Sequence, residues 1–173
     1  MSLNFVVGRA ADVLSGDFAN AVETALRARF PSLDDSAGAE PYHSDPVDAR
    51  AWPQLQQRAA SLLGAAAVPS LLGVEAYQAV YVPAPLGAVE NLLIPLAADP
   101  LQIAPLGALL SELRAFAAKA SLPIDDVELM QLAAHYLEDD ALFDKDLDVQ
   151  LYVQLMLSAR QAATRNQPLW LVR

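Results

Sequence analysis

Two histidines and a crowd of carboxylates are the side chains of this sequence that could do chemistry. His135 precedes Glu138 and Asp139 by three and four residues, and on a helix this spacing puts all three side chains on one face. A carboxylate beside an imidazole stabilises the protonated ring and orients it, as a general base requires. His135 and Asp139 are therefore the candidates for catalysis. A small metal-dependent or acid–base hydrolase is the enzymatic alternative for this chain.

The second histidine opens the alternative of a metal site. His43 and Asp45 lie in the polar segment 31–45, and two such side chains can supply two ligands. If this segment folded over His135, a set of two histidines and two carboxylates suited to zinc or iron would result, namely His43, Asp45, His135 and Asp139. A simpler interpretation makes Asp45 a helix cap and the histidine–carboxylate pairs ordinary surface neighbours. We therefore expect no metal and no cofactor.

Nine carboxylates and a single basic residue, Lys145, lie between residues 125 and 148. Asp144 opens the Asp-x-Asp-x-Asp pattern of a calcium loop, but Val149 stands where that loop needs glycine and Leu155 where it needs a bidentate glutamate. An EF-hand is therefore excluded. Runs of charge are usually solvated helix ends. The alternatives are a looser cation site and a partner-binding patch formed by Glu138, Asp139, Asp140, Asp144, Asp146 and Asp148.

The whole chain is acidic and lacks cysteine. Its 173 residues carry a formal net charge of −10, and the pI is about 4.4. This charge disfavours nucleic acids and membranes as partners and favours a basic protein. It also keeps an apolar-rich chain in solution. Without cysteine, disulfides, thiolate metal sites and cysteine nucleophiles are excluded, and a reducing compartment such as the bacterial cytoplasm fits.

Familiar catalytic signatures are absent from the sequence. It contains no glycine-rich phosphate loop, no nucleophile elbow and no H-E-x-x-H zinc motif. We therefore expect a non-catalytic, cytoplasmic protein-interaction module of the adaptor, inhibitor or immunity type, and we lean against an enzyme. A homodimer formed through the apolar C-terminal segment 169–172 is a further alternative.

The elements that must position these residues follow from hydrophobic periodicity and from proline and glycine stops. Strands are predicted at 3–7, 74–82, 91–96, 101–103 and 169–172. Helices are predicted from residue 15 or 17 to 30, and at 45–64, 105–120, 123–139 and 147–165. Strands followed by a run of helices indicate an α+β fold with a small, mostly antiparallel sheet, about five helices and a helical C-terminal half. We expect a single domain over 1–173.

The helix predicted at 123–139 carries His135 and part of the acidic cluster. Five apolar residues recur along it at helical spacing, and they are predicted to form its buried stripe: Ile124, Val127, Met130, Ala134 and Leu137. The acids at 138–140 would then end this helix, and Asp146 and Asp148 would begin the next one. In this interpretation the acidic cluster is a solvated corner between two helices.

Overall fold

The computed structural model describes residues 1–34, 38–142 and 144–173, and only the backbone of Asp140. Within these ranges it contains seven strands: β1 Ser2–Val7, β2 Tyr42–His43, β3 Val47–Asp48, β4 Ala79–Val82, β5 Glu90–Leu92, β6 Leu101–Pro105 and β7 Leu169–Val172. The same ranges contain seven α-helices: α1 Ala10–Val13, α2 Gly16–Arg29, α3 Ala51–Leu63, α4 Pro69–Leu72, α5 Leu106–Ala120, α6 Asp126–Glu138 and α7 Leu147–Arg165.

The strands form one open, mostly antiparallel sheet in the order β2-β1-β7-β4-β6-β5, with β3 beside β2 on the outer edge of β1. Among the described strands, β4 and β6 are the parallel pair. The mixed α/β content, the mostly antiparallel sheet and the helical C-terminal half are confirmed. The predicted size is wrong, since the sheet is not small and there are more than about five helices. The additional elements are two to four residues long, too short to show a period in sequence.

The C-terminal strand β7 lies inside the sheet, between β1 and β4. Both of its edges are hydrogen-bonded to these neighbours, and Leu169, Trp170 and Leu171 are buried. The edge facing β1 is paired along the whole strand, and the edge facing β4 is paired at Leu169 and Trp170. A homodimer formed through the segment 169–172 stays a prediction.

Side chains alternate between the two faces of the sheet and divide the core into two clusters. On the first face, Phe5, Tyr81 and Leu171 pack under α3, α4, α5 and α7, with α6 lying against α7. On the second face, Val6 and Trp170 pack under α2. None of the described helices has the length and apolar character needed to cross a membrane.

Two predicted elements begin later than expected. The helix predicted at 45–64 begins at Ala51, because residues 47–48 pair with β1 as β3. Pro53 is the third residue of this helix, where an amide hydrogen is not needed, so the helix continues through it instead of kinking. The strand predicted at 74–82 begins at Ala79, because Tyr77 adopts a left-handed conformation with φ 71°.

Candidate functional site

Helix α6 is held to the rest of the protein along one side only. Asp125 caps its first turn, its side chain accepting hydrogen bonds from the amides of Val127 and Glu128. Leu129 is the α6 residue that is fully buried. Tyr136, two residues from the end of α6, is partly buried, and its hydroxyl donates to Asp146 at 3.2 Å. These anchors fix which side of α6 faces the core.

The stripe predicted to be buried lies on the opposite side of α6, facing solvent. Ile124, Val127, Met130 and Leu137 are each exposed by about half, at 49%, 57%, 55% and 56%, and Ala134 is exposed as well. The prediction was wrong because the helix has two apolar sides. Leu129, Leu132, Ala133 and Tyr136 form the other side, and periodicity alone does not say which of two apolar sides meets the core.

The spacing of this outer stripe is that of a helix-packing seam. From Val127 the apolar residues follow at intervals of three, four and three, through Met130 and Ala134 to Leu137. These are the a and d positions of two successive heptads, and such a row buries its side chains against another helix. We call these four residues the α6 seam. Exposed apolar side chains that are contiguous in this way mark interaction sites more often than scattered ones do.

Much of the acidic cluster next to the seam is engaged in contacts within the protein. The guanidinium of Arg50 lies 2.8 Å from Asp144 and 2.9 Å from Asp48. Asp148 pairs with Arg58. These contacts tie the start of α7 to α3, so Asp144 and Asp148 act as structural partners of arginine.

Asp146 has a structural contact too. It accepts a hydrogen bond from the hydroxyl of Tyr136. Burial, and after it the charge of Asp146, raises the pKa of Tyr136 to about 12. The phenol therefore stays protonated at neutral pH and keeps donating to Asp146, which holds the end of α6 against the start of α7.

The carboxylates that remain open lie along α6 and at its end. Glu128 and Glu138 are exposed, and no intramolecular ion pair engages either of them among the described residues. Asp139 is exposed as well, and one of its oxygens accepts from the amide of Ala141. The side chain of Asp140, also predicted for the patch, lies outside the described part of the chain. The open acids therefore lie at both ends of the α6 seam, with Glu128 beside Val127 and Glu138 and Asp139 after Leu137.

The two histidines lie on opposite sides of the sheet. His43 is in β2, paired with Val6, and both side chains lie on the second face. His135 is exposed on α6, which packs on the first face; its ring lies 5.7 Å from that of Tyr136, tilted by 57°. The structure therefore does not bring His43 and His135 together.

The carboxylates predicted to accompany the histidines are engaged elsewhere. Asp45 does not cap a helix. Its amide donates to the side chain of Gln154, and its carboxylate accepts from the same side chain, both at 3.2 Å. Within residues 1–34, 38–142 and 144–173, no three metal-binding side chains converge. Asp139 follows His135 by one turn, but no hydrogen bond joins the two in the described ranges.

The α6 seam is the feature that sequence reasoning missed. The signal was present as an apolar row flanked by acids, but it was assigned to the core. Comparison of this chain with protein-family models, with curated proteins and with solved structures finds no match.

Proposed function

We propose that this chain is a non-catalytic protein-interaction module that binds a basic amphipathic helix along α6. The observation that carries this proposal is the α6 seam, an exposed row of apolar side chains at a/d spacing flanked by acids. The seam selects a helical partner, because knobs at this spacing fit the holes of a second helix. We also propose a cytoplasmic location, in keeping with a chain that has no cysteine.

The flanking charges decide which helix fits. Glu138 lies one turn after Ala134 on the same face, Glu128 follows Val127, and Asp126 lies on the other border, paired with Arg160. A partner with lysine or arginine beside its apolar row would complement these carboxylates. A second copy of this chain would place like charges against each other, and both copies carry a net charge of −10. The charges therefore favour a cationic partner over self-association.

Apolar burial alone gives this site a modest affinity. Full burial of a side chain such as Val, Leu or Met is worth about 1.5–3 kcal/mol, and Val127, Met130 and Leu137 are already about half-buried, so each adds roughly 1 kcal/mol. Electrostatic attraction between the flanking acids and the basic partner must supply the remaining free energy of binding. Binding should therefore weaken clearly as ionic strength rises, because salt screens charges at a solvent-exposed interface.

A designed peptide can serve as the test probe. We would label a helical peptide that has leucine at its a and d positions and lysine at the flanking positions, and follow its fluorescence anisotropy. One control peptide carries glutamate in place of lysine, and another keeps the lysines but has its leucines scrambled. The lysine peptide should bind, with an affinity that falls at least about tenfold as the salt rises from 0.05 to 0.3 M. Neither control peptide should bind.

Two variants of equal charge locate the site. Met130→Glu adds a negative charge in the middle of the seam and should weaken binding of the lysine peptide by about tenfold or more, because it buries a charge in the apolar row. Phe18→Glu adds the same charge on a helix of the second face and should leave binding unchanged. Equal binding by Met130→Glu and the parent protein would refute the proposal. So would light scattering that shows a dimer which Met130→Glu converts to monomers, since the seam would then be a self-association interface.

A further inference from the structure

Two cavities adjoin on the second face of the sheet, on the side away from α6. The larger has a volume of about 500 Å³ and the smaller about 420 Å³. They share three lining residues, Val13, Val172 and Arg173, so they adjoin at α1 and the end of β7. A volume of several hundred cubic ångströms is typical of sites that bind small molecules.

The two cavities differ in chemistry. The larger is lined by Leu14 and Phe18, by Ile94 and by Trp170. Its lining is therefore mainly apolar. The smaller has a more polar lining, which includes Asn4, His43, Ser44 and the carboxylate of Asp12. A molecule with an apolar part and a polar end would match this division, with its polar end near the shared residues.

Arg173 supplies the charge at that junction. Its guanidinium lies over the ring of Tyr77, 5.1 Å from the ring centre, which leaves its N–H edges free to donate. It forms no ion pair or hydrogen bond with another side chain in the described part of the chain. Asp99, an exposed carboxylate, also lines the larger cavity.

These charges limit the head group that can bind. One guanidinium balances one negative charge, and the carboxylates of Asp12 and Asp99, together with the net charge of −10, disfavour a polyanion. We infer that the second face binds an anionic amphiphile of the fatty-acid type, with its carboxylate on Arg173 and its alkyl chain in the 500 Å³ cavity. This site is separate from the α6 seam, and its ligand is of a different class.

Trp170 provides a direct measurement of binding. Tryptophan occurs twice in the chain, and Trp52 lies in the other core cluster, on the opposite face of the sheet. In a Trp52→Phe variant, bromine-substituted laurate below its micelle concentration should quench the fluorescence of Trp170 in a saturable way. Unbrominated laurate should compete for the same site. Trp52→Phe should fold, because the indole N–H of Trp52 has no hydrogen-bond partner to lose.

Charge variants in this background test the head-group assignment. Arg173→Gln should weaken laurate binding by about tenfold, the usual cost of losing one charge-assisted hydrogen bond. Asp99→Asn should bind laurate as well as or better than the parent. Dodecylammonium, which has the same tail length and the opposite charge, should bind more weakly than laurate.

Two matched variants test whether the alkyl chain lies in the larger cavity. Phe18→Glu places a charge in the wall of the cavity and should weaken laurate binding by about tenfold or more. Leu62→Glu, on α3, changes a side chain of nearly equal exposure, 40% against 38%, and should have no effect. The inference is overturned by any one of three results: no saturable quenching of Trp170, equal affinity for dodecylammonium, or unchanged affinity in both Arg173→Gln and Phe18→Glu.

Discussion

Glu112 is a buried carboxylate that caps a short helix from a distance, and its removal should be among the costliest single changes in this protein. The side chain extends from α5 and is 6% exposed. One oxygen accepts from the amide of Ser70 at 2.9 Å and the other from the amide of Leu71 at 2.8 Å. These are first-turn amides of α4, which have no acceptor within their own helix.

The expected cost follows from those two amides. Glu112→Ala leaves both of them buried without an acceptor, and each unsatisfied group costs about 1–3 kcal/mol. Part of this cost is offset, because Glu112→Ala also removes the free-energy cost of burying a charged carboxylate. We expect a net loss of roughly 3 kcal/mol, a substantial share of the 5–15 kcal/mol that is typical of a domain. Glu112→Gln keeps one acceptor and should lose less.

Urea unfolding followed by circular dichroism measures this loss. With a slope of about 2 kcal/mol per molar urea, the midpoint should fall by roughly 1.5 M in Glu112→Ala. Glu90→Ala is the control, because it removes an exposed glutamate that lies 3.4 Å from Arg29. It should cost less than about 1 kcal/mol. A loss below about 1 kcal/mol in Glu112→Ala would show that the two amides find other acceptors, and the capping argument would be refuted.

Three further variants test a surface ion pair and the orientation of α6. The side-chain hydrogen bond from Arg50 lowers the pKa of Asp48 below its ordinary value of 3.8. Its stabilisation is therefore present above about pH 4 and is lost as the pH falls through the lowered pKa. Asp48→Asn should consequently flatten the decline in unfolding free energy between about pH 5 and pH 2, and an unchanged slope would contradict this assignment. Leu129→Ala should cost about 2–5 kcal/mol and Met130→Ala less than about 0.5 kcal/mol; equal losses in urea unfolding would mean that the buried side of α6 has been misassigned.

Sequence reasoning succeeded where local signals agree with the tertiary structure. The predicted bounds of α7, 147–165, are those observed, as are those of β7, 169–172. In α7 a helical apolar period runs between an acidic start and Asn166, which ends the helix in a left-handed conformation with φ 53°. Local pattern and global packing give the same answer in such segments, so one sequence is enough.

Sequence reasoning failed where pairing with a distant segment of the chain decides the local structure. Asp45 and Pro46 look like a helix start, yet Val47 pairs with Leu3 of β1 and is buried in the core. A strand pairing across more than 40 residues leaves no periodic trace in a two-residue strand. Nor could sequence show that Asp45 binds Gln154, or that Arg50 and Arg58 engage part of the acidic cluster. Contacts of this kind depend on how helices stack, which a single sequence does not encode locally.

The net charge of −10 favours binding at one proposed site and opposes it at the other, so the salt dependence of binding distinguishes the two sites. At the α6 seam the overall field attracts a cationic helix, so added salt weakens binding by screening an attraction. At Arg173 the same field repels an anionic head group until it comes within reach of the guanidinium. Salt shortens the range of that repulsion to about 8 Å at physiological ionic strength, so approach of the anion is eased although the final contact is weakened. If the surface charge served solubility alone, added salt would not steeply reduce the affinity for a cationic helix at the α6 seam. Nor would the affinity for an anion at the cavity change only slightly, or rise, with added salt.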